Sequence, residues 1–519
     1  MNRVHSTPAP GMSVRQMERR RTVTSWFGSG FVLFAGAVLA YLAQRTVPNA
    51  EASSIALLVL VVAIGAAAVR PILGLYSIVF FTLVGDAITV NWFPFGKNLS
   101  SRESLLYLSD GLTLSPLEIL IASTVAFWLV DVVGGRKRIV TGPLFYAVAA
   151  FTAFVAFGFM IGIRRGGDLR IALFEGRSLF TLLPVYVLAV NLCDRPALRR
   201  LAWIAIAAIV VNAFLALNYL NDLSPVARAQ REDLGEHPAS VHFNAFILFT
   251  LVLFLNRGAS RATRYLLLVL CFPVGWAYLE AERRSAVVAL MVGLLLVVLS
   301  LWWRRRSQFV VLAPLLLVGS VTYTAAFWNS TSSAGFPAQA LKTVIVPGSS
   351  TEKDRSSDLY RQIENFDLNF TIRSSPLTGL GFGHRFYRPI PLANISSFEF
   401  YEYIPHNSIL WIWIKTGFGG FVALLLMFAV ALREGARTLL SERDRTHASF
   451  VMMGIAYTAM FAVFAFVDIA WDPRSLVFLG LSFALCSQRQ RQLAVQESSR
   501  PELDERFVPD SGPHPVSVT

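Results

Sequence analysis

The chain has 519 residues, 55% of them hydrophobic and only 15% charged, with three cysteines and a formal net charge of +13. A mean hydropathy of +0.54 is too apolar for a soluble chain of this length, and the cysteines lie far apart in apolar stretches, which excludes a disulfide framework or a thiolate metal site. The positive charge follows the loops between apolar runs, so it reads as membrane topology and not as a nucleic-acid surface.

Apolar runs long enough for a helix to cross a hydrocarbon core of about 30 Å recur along the chain. Strands of a membrane barrel would be shorter and strictly alternating. In chain order the expected spans are 27–43, 55–69, 72–91, 117–133, 143–162, 178–192, 199–220, 239–256, 263–280, 284–303, 309–328, 406–432, 448–468 and 474–487. The sequence thus predicts an all-α polytopic membrane bundle of about fourteen helices, or about twelve if the weaker runs are re-entrant. The first run follows Arg19, Arg20 and Arg21 and has no convincing cleavage site, so it is expected to be retained.

With fourteen spans, the basic clusters at Arg19–Arg21, Arg136–Arg138, Arg195/Arg199/Arg200, Arg257/Arg261/Arg264, Arg304–Arg306, Arg433/Arg437/Arg443/Arg445 and Arg489/Arg491 fall on one face. The positive-inside rule names that face cytoplasmic. Five segments follow: a cytoplasmic tail over 1–26, a bundle over 27–328, a large periplasmic loop over 329–405, C-terminal spans over 406–487 and a disordered cytoplasmic tail over 488–519. Membrane lipids are the expected surroundings, and a bacterial inner membrane the expected location.

Several basic residues break the bias by falling on the outer face: Arg164, Arg165, Arg170 and Arg177 in one loop, Arg228 and Arg231 in another, Arg283 and Arg284 in a very tight turn, and Lys342 through Arg388 in the long loop. A guanidinium presents a planar fork to phosphate oxygens, so such a set suits a lipid-linked phosphate or pyrophosphate. Headgroups and local acids such as Glu175, Glu232 and Asp233 are the plainer explanation for any one of them. Arg283 and Arg284 are the sharper case, because charges at the membrane boundary are costly unless paired or functional.

Within the long loop, Ser356 is expected to cap a surface helix whose apolar stripe is Leu359, Ile363, Phe366 and Phe370, with Arg361 off the stripe. Asp354, Asp358, Glu364 and Asp367 are read as its solvated face, without the compact carboxylate pair that metal-dependent transfer would use. The glycines Gly379, Gly381 and Gly383 allow tight turns and close approach of amides to an anion, although the setting does not suit a nucleotide fingerprint. His406, preceded by Pro405 and followed by Asn407, opens an apolar helix whose positive end disfavours imidazolium, as a neutral proton acceptor requires. His237 and His242 are read as interfacial or packed residues.

Taken together, Tyr360-Arg361, the run Ser375 to Gly383, Pro405-His406-Asn407 and Lys415 to Gly420 resemble the O-antigen ligase and polymerase family, and the turn Arg283-Arg284-Ser285-Ala286 resembles that family's upstream arginine motif. The resemblance runs from about Arg228 to Leu432. It implies the helical bundle of lipid-donor (GT-C type) glycosyltransferases and a metal-independent, cofactor-free transfer at the periplasmic face. The donor would be a polyprenyl-pyrophosphate-linked saccharide and the acceptor a glycan or lipid A core, with no nucleic acid involved. Carried over by position, His406 acts at the reacting centre, and Arg361 with Arg284 or Arg283 holds the pyrophosphate. Arg177, Arg231, Arg373, Asn407 and Gly381 complete the candidate substrate-binding set. The competing reading is a flippase or transporter for lipid-linked oligosaccharide, which would place charge along a central cavity and not at one face.

Overall fold

A computed structural model describes residues 50–86, 88–90, 93–110, 113–224, 226–227, 234–330, 332–346, 352–393 and 400–487. The described residues are helical with no strand. The helices are α1 (Ala50–Val69), α2 (Pro71–Val84), α3 (Pro116–Val133), α4 (Phe145–Arg164), α5 (Leu169–Gly176), α6 (Leu182–Leu192), α7 (Arg195–Asp222) and α8 (Ala239–Asn256), followed by α9 (Arg261–Glu280), α10 (Arg284–Arg304), α11 (Arg306–Ala326), α12 (Phe336–Ile345), α13 (Glu352–Ser374), α14 (Ser408–Ser441), α15 (Arg445–Val467) and α16 (Pro473–Cys486). Among the described residues nine helices are long and apolar enough to cross a membrane, or ten if the bent pair Leu169–Gly176 and Ser178–Leu192 forms one span. Expected spans 55–69, 72–91 and 474–487 correspond to shorter apolar helices, and 27–43 lies outside the described residues, as do both tails.

The helix boundaries follow from capping. Ser115 and Glu118 form a reciprocal capping box at α3, while Asp168, Asp194, Ser260, Asn407, Asp444 and Asp472 each accept a backbone N–H from the first turn of their helix. Expectation and structure differ at α2, which stops at Val84 instead of reaching 91. There Asp86 turns the chain by accepting the N–H groups of Ile88 and Thr89, both at 2.9 Å, and binds Arg474 of α16 at 2.7 Å.

Helix α15 is the hub, packed against α8, α10, α14 and α16. The opposite extreme is α11, none of whose residues is buried. Such a helix is stable only in an apolar solvent, where lipid covers what the protein does not.

One buried ion pair locks the glycine-rich turn onto this bundle. Lys415 of α14 and Glu175 of α5 are fully buried, with Nζ 2.6 Å from Oε1. The ammonium also donates to the His384 carbonyl at 2.6 Å, and Glu175 accepts the Gly383 N–H at 2.6 Å. Beside them α14 breaks at Gly417, where φ is 73° and a Cβ would lie 2.1 Å from the Leu377 carbonyl oxygen. No other residue tolerates both that conformation and that approach.

Deleting one charge of a buried pair strands the other, at a cost of about 3–5 kcal/mol. Lys415→Met is therefore expected to lower the melting temperature of the purified protein sharply. The double variant Lys415→Met/Glu175→Gln should recover a large part of the loss, as thermal melts in detergent will show.

Candidate functional site

The tight turn between α9 and α10 builds one wall of the site. Only Ala281, Glu282 and Arg283 link the two helices, and Glu282 takes a left-handed conformation with φ of 48°. For a residue with a Cβ that conformation costs about 1–3 kcal/mol, and it directs the neighbouring arginines to different partners. Arg284 makes a two-pronged contact with Asp358 of α13, at 2.8 and 3.3 Å. Arg283 turns into the bundle instead, with Nη1 4.0 Å from Oδ2 of Asp468.

Asp468, the residue that closes α15, is fully buried and gathers four segments. Its Oδ1 lies 2.5 Å from His237 Nδ1 and accepts the Ile469 N–H at 2.9 Å; its Oδ2 accepts the Ser285 hydroxyl of α10 at 2.8 Å; its carbonyl accepts the Ser408 hydroxyl of α14 at 2.8 Å. Burial alone would raise its carboxyl, but His237, Arg283 and Arg361 together overcome this and hold it well below the usual aspartate range.

The second wall is α13, which carries two helices' worth of expectation in altered form. The loop 329–405 holds α12 as well as α13, and α13 begins at Glu352, so Ser356 sits inside the helix and not at its cap. The expected apolar stripe is not the packed face: Leu359, Phe366 and Phe370 are exposed, whereas Glu364, Asp367 and Leu368 are buried. The acids face inward because the following segment offers N–H groups to them. Glu364 Oε2 accepts the His406 N–H at 3.0 Å and Asp367 accepts that of Ile390 at 3.2 Å. Reading these acids as a solvated face is therefore corrected for Glu364 and Asp367.

His406 stands where the two walls meet. Its Nδ1 is 3.2 Å from Glu364 Oε1, its ring centre is 5.7 Å from that of Tyr360 and 6.4 Å from that of His237. A proton on Nδ1 directed at Glu364 would leave Nε2 as the ring's acceptor. Burial lifts the Tyr360 hydroxyl above its ordinary value, and nearby Glu364 adds to the effect. Arg361, half-buried on α13, is close enough to act on the charge of Asp468. One small region thus holds His406, Glu364, Tyr360, Arg361, Arg283, His237 and Asp468.

The remaining expected residues divide by their partners. Asn407 caps α14 through the Leu410 N–H and donates to Asn365 of α13 at 3.0 Å, so it fixes His406 beside Glu364 and is itself occupied. Arg177 binds Asn98 at 2.5 Å, the Thr113 carbonyl and Glu118 at 2.9 Å, which ties the 97–113 loop to α3. Arg373 is exposed in the last turn of α13, twelve residues or about 18 Å along the helix from Arg361. Gly381 (φ 90°) lies against Gly162 of α4, where a Cβ would approach the backbone nitrogen to 2.3 Å. The anion its turn embraces is the protein's own Glu175, which is a correction to the expected open anion cradle. Arg231 lies outside the described residues.

Sequence reasoning missed three members of the cluster. His237 reads alone as an interfacial histidine, Glu364 as a solvated acid and Asp468 as the end of a span. The signal for Asp468 was present: Asp468, Asp472 and Arg474 punctuate two apolar helices as abruptly as Glu282, Arg283 and Arg284 do. His242 proves packed, its Nε2 3.0 Å from the Tyr457 hydroxyl. Among the described residues no group of three or more His, Cys, Asp or Glu side chains is arranged to hold a metal ion.

Because the folded-state pKa of Asp468 is depressed, its ionisation contributes stability that is complete above the ordinary aspartate value of about 3.9 and is lost as the pH falls through the lower folded value. Melting temperatures followed from about pH 6 to about pH 3 should fall more steeply in the wild type than in Asp468→Asn, which should already melt lower at neutral pH. Parallel curves would contradict the assignment.

No curated protein matches the chain. A family model described as O-Antigen ligase matches residues 266–425, the stretch that carries Arg283, Arg284, Arg361, Glu364 and His406. That segment, set in a multi-helix membrane protein, is similar to the O-antigen ligase family.

Proposed function

We propose that the protein transfers a saccharide from a polyprenyl-pyrophosphate carrier to a sugar hydroxyl of a glycan or lipid A core, without a metal ion, at the periplasmic face of a bacterial inner membrane. The observation that carries this reading is the meeting of His406–Glu364 with Arg361 and Arg283 around one buried carboxylate. In the proposed step the acceptor oxygen attacks the anomeric carbon, its proton passes to Nε2 of His406, and the bond from that carbon to the pyrophosphate oxygen breaks. The bonding electrons leave on polyprenyl pyrophosphate, whose growing negative charge Arg361 and Arg283 neutralise. Glu364 holds the imidazole in the tautomer that keeps Nε2 able to accept.

Arg283, and not Arg284, is the second phosphate-binding arginine in this reading. Arg284 is clasped by Asp358, whereas Arg283 faces the same carboxylate that Arg361 and His237 face. Asp468 then serves as a positioning residue for Arg283, Arg361 and His237. The outward apolar stripe of Leu359, Phe366 and Phe370 favours a donor delivered along the membrane surface, since it gives a lipid tail an apolar edge beside Arg361. The site's place at one end of the bundle, with charge concentrated there, supports transfer over passage of the carrier through a central cavity.

Transfer measured in vitro from a lipid-linked saccharide, per mole of folded protein, should fall by about 10²–10⁴-fold in His406→Ala and by about 10²–10³-fold in Arg283→Gln and Arg361→Gln. Arg284→Gln is expected to lose less than about tenfold, because its guanidinium is held by Asp358. Full activity in His406→Ala, or a larger loss at Arg284 than at Arg283, would overturn these assignments.

A further inference from the structure

Helix α13 turns its acids away from one side. Among its described side chains, Glu364 and Asp367 are buried against the segments around His406 and Ile390, and Asp358 is held by Arg284. The side left open carries Leu359, Phe366 and Phe370, each about half exposed and spaced i, i+7 and i+11. Arg355 and Arg373, also exposed, stand on that same side at its two ends, about 27 Å apart. A row of large apolar side chains left in water forgoes the burial that stabilises a helix face, so it marks a surface that something covers.

What covers the row follows from where it leads. After α13 the chain turns at Pro376, whose carbonyl accepts the Trp413 indole N–H at 2.9 Å and the Phe418 N–H at 3.0 Å. That turn brings Leu377, 76% exposed, to the break of α14 at Gly417. From there the exposed side of α14 continues as Phe418, Leu425 and Leu426, again at helical spacing. Helix α14 is long and apolar enough to cross a membrane, and the apolar side that the protein leaves uncovered on such a helix faces lipid. Exposed apolar residues thus lead from the lipid-facing side of α14, through Leu377, on to Phe370, Phe366 and Leu359.

Charge fits the same cover. A helix lying on a membrane sinks its apolar face to the boundary of headgroups and acyl chains and sets its basic residues among the headgroup phosphates. Arg355 and Arg373 flank the row in this way, and Asp358, at its edge, is already paired with Arg284.

We propose that α13 is a membrane-surface helix: Leu359, Phe366, Phe370 and Leu377 enter the acyl region of the leaflet on the His406 side, and Arg355 and Arg373 bind the phosphates of its headgroups. This stands on α13 and α14 alone and does not depend on the transfer reading. Because the opposite face of α13 carries Arg361 and Glu364, contact with the leaflet also sets the height at which those side chains meet His406.

The test places one nitroxide at a time on the full chain in vesicles of phosphatidylethanolamine and phosphatidylglycerol, with Cys271→Ala removing the native thiol that is not buried. Labels at Phe366→Cys and Phe370→Cys are compared with one at Leu425→Cys on α14 and one at Asp110→Cys, an exposed acid of the 97–113 loop. All four positions are exposed, so the labels leave the packing intact. The quantity read is accessibility to oxygen, which concentrates among acyl chains, relative to accessibility to a water-soluble nickel complex. At Phe366 and Phe370 this ratio should be several-fold higher than at Asp110 and should approach that at Leu425. Arg355→Glu/Arg373→Glu should lower it at both positions, and an unchanged ratio would overturn the role given to the two arginines. A ratio equal to that at Asp110 would put the row in water, and labels reached by neither probe would put it under protein, such as a second copy of the chain. Either result would overturn the lipid assignment.

Discussion

The end of the bundle that holds His406 depends on a single buried carboxylate. Asp468 is fully buried, and its two oxygens and its carbonyl tie together the segment before α8, the first turn of α10, the first turn of α14 and the end of α15. A buried anion left alone would be neutral or would unfold its surroundings. Here it is kept ionised by His237, Arg283 and Arg361, so the same electrostatic requirement that stabilises the aspartate also positions these three side chains near His406. Structure and site are in this sense one problem: the cations have somewhere to be before any substrate arrives, which is the preorganisation that electrostatic catalysis relies on.

Charge is handled in two further ways elsewhere in the bundle. Where the glycine-rich turn meets α4, α5 and α14, the Lys415–Glu175 pair is closed off completely and works as a clamp. Where the end of α2 meets the start of α16, Arg474 is surrounded by Asp86, Glu236 and Asp472, so three acids answer one guanidinium. Both arrangements satisfy their charges within the protein.

Much of the architecture was legible in the residues because helix length, apolar runs and capping residues are local properties. The tight turn at Arg283 and Arg284, the polar opening of α14 at His406 and Asn407, and the membrane class all follow from spacing alone. What escaped was long-range. Whether Glu364 faces solvent or His406 is decided by where the chain returns 42 residues later, and helical periodicity pointed the other way because Leu359, Phe366 and Phe370 are the more apolar set. The glycines of the turn at Gly381 read equally well as a cradle for an external anion and as room for a helix; only the approach to Gly162 and the presence of Glu175 decide between them. The partnership of His237 with Asp468 joins residues 231 positions apart, and nothing in either neighbourhood announces it.

The central claim is that this site breaks the bond between a saccharide and its polyprenyl pyrophosphate carrier. The most direct measurement incubates the purified protein with a lipid-linked saccharide, an acceptor glycan and a metal chelator, and follows the carrier by mass spectrometry. The account predicts polyprenyl pyrophosphate released in step with extended acceptor, in the presence of chelator. Carrier that remains intact, or that changes membrane leaflet with its saccharide still attached, would contradict it.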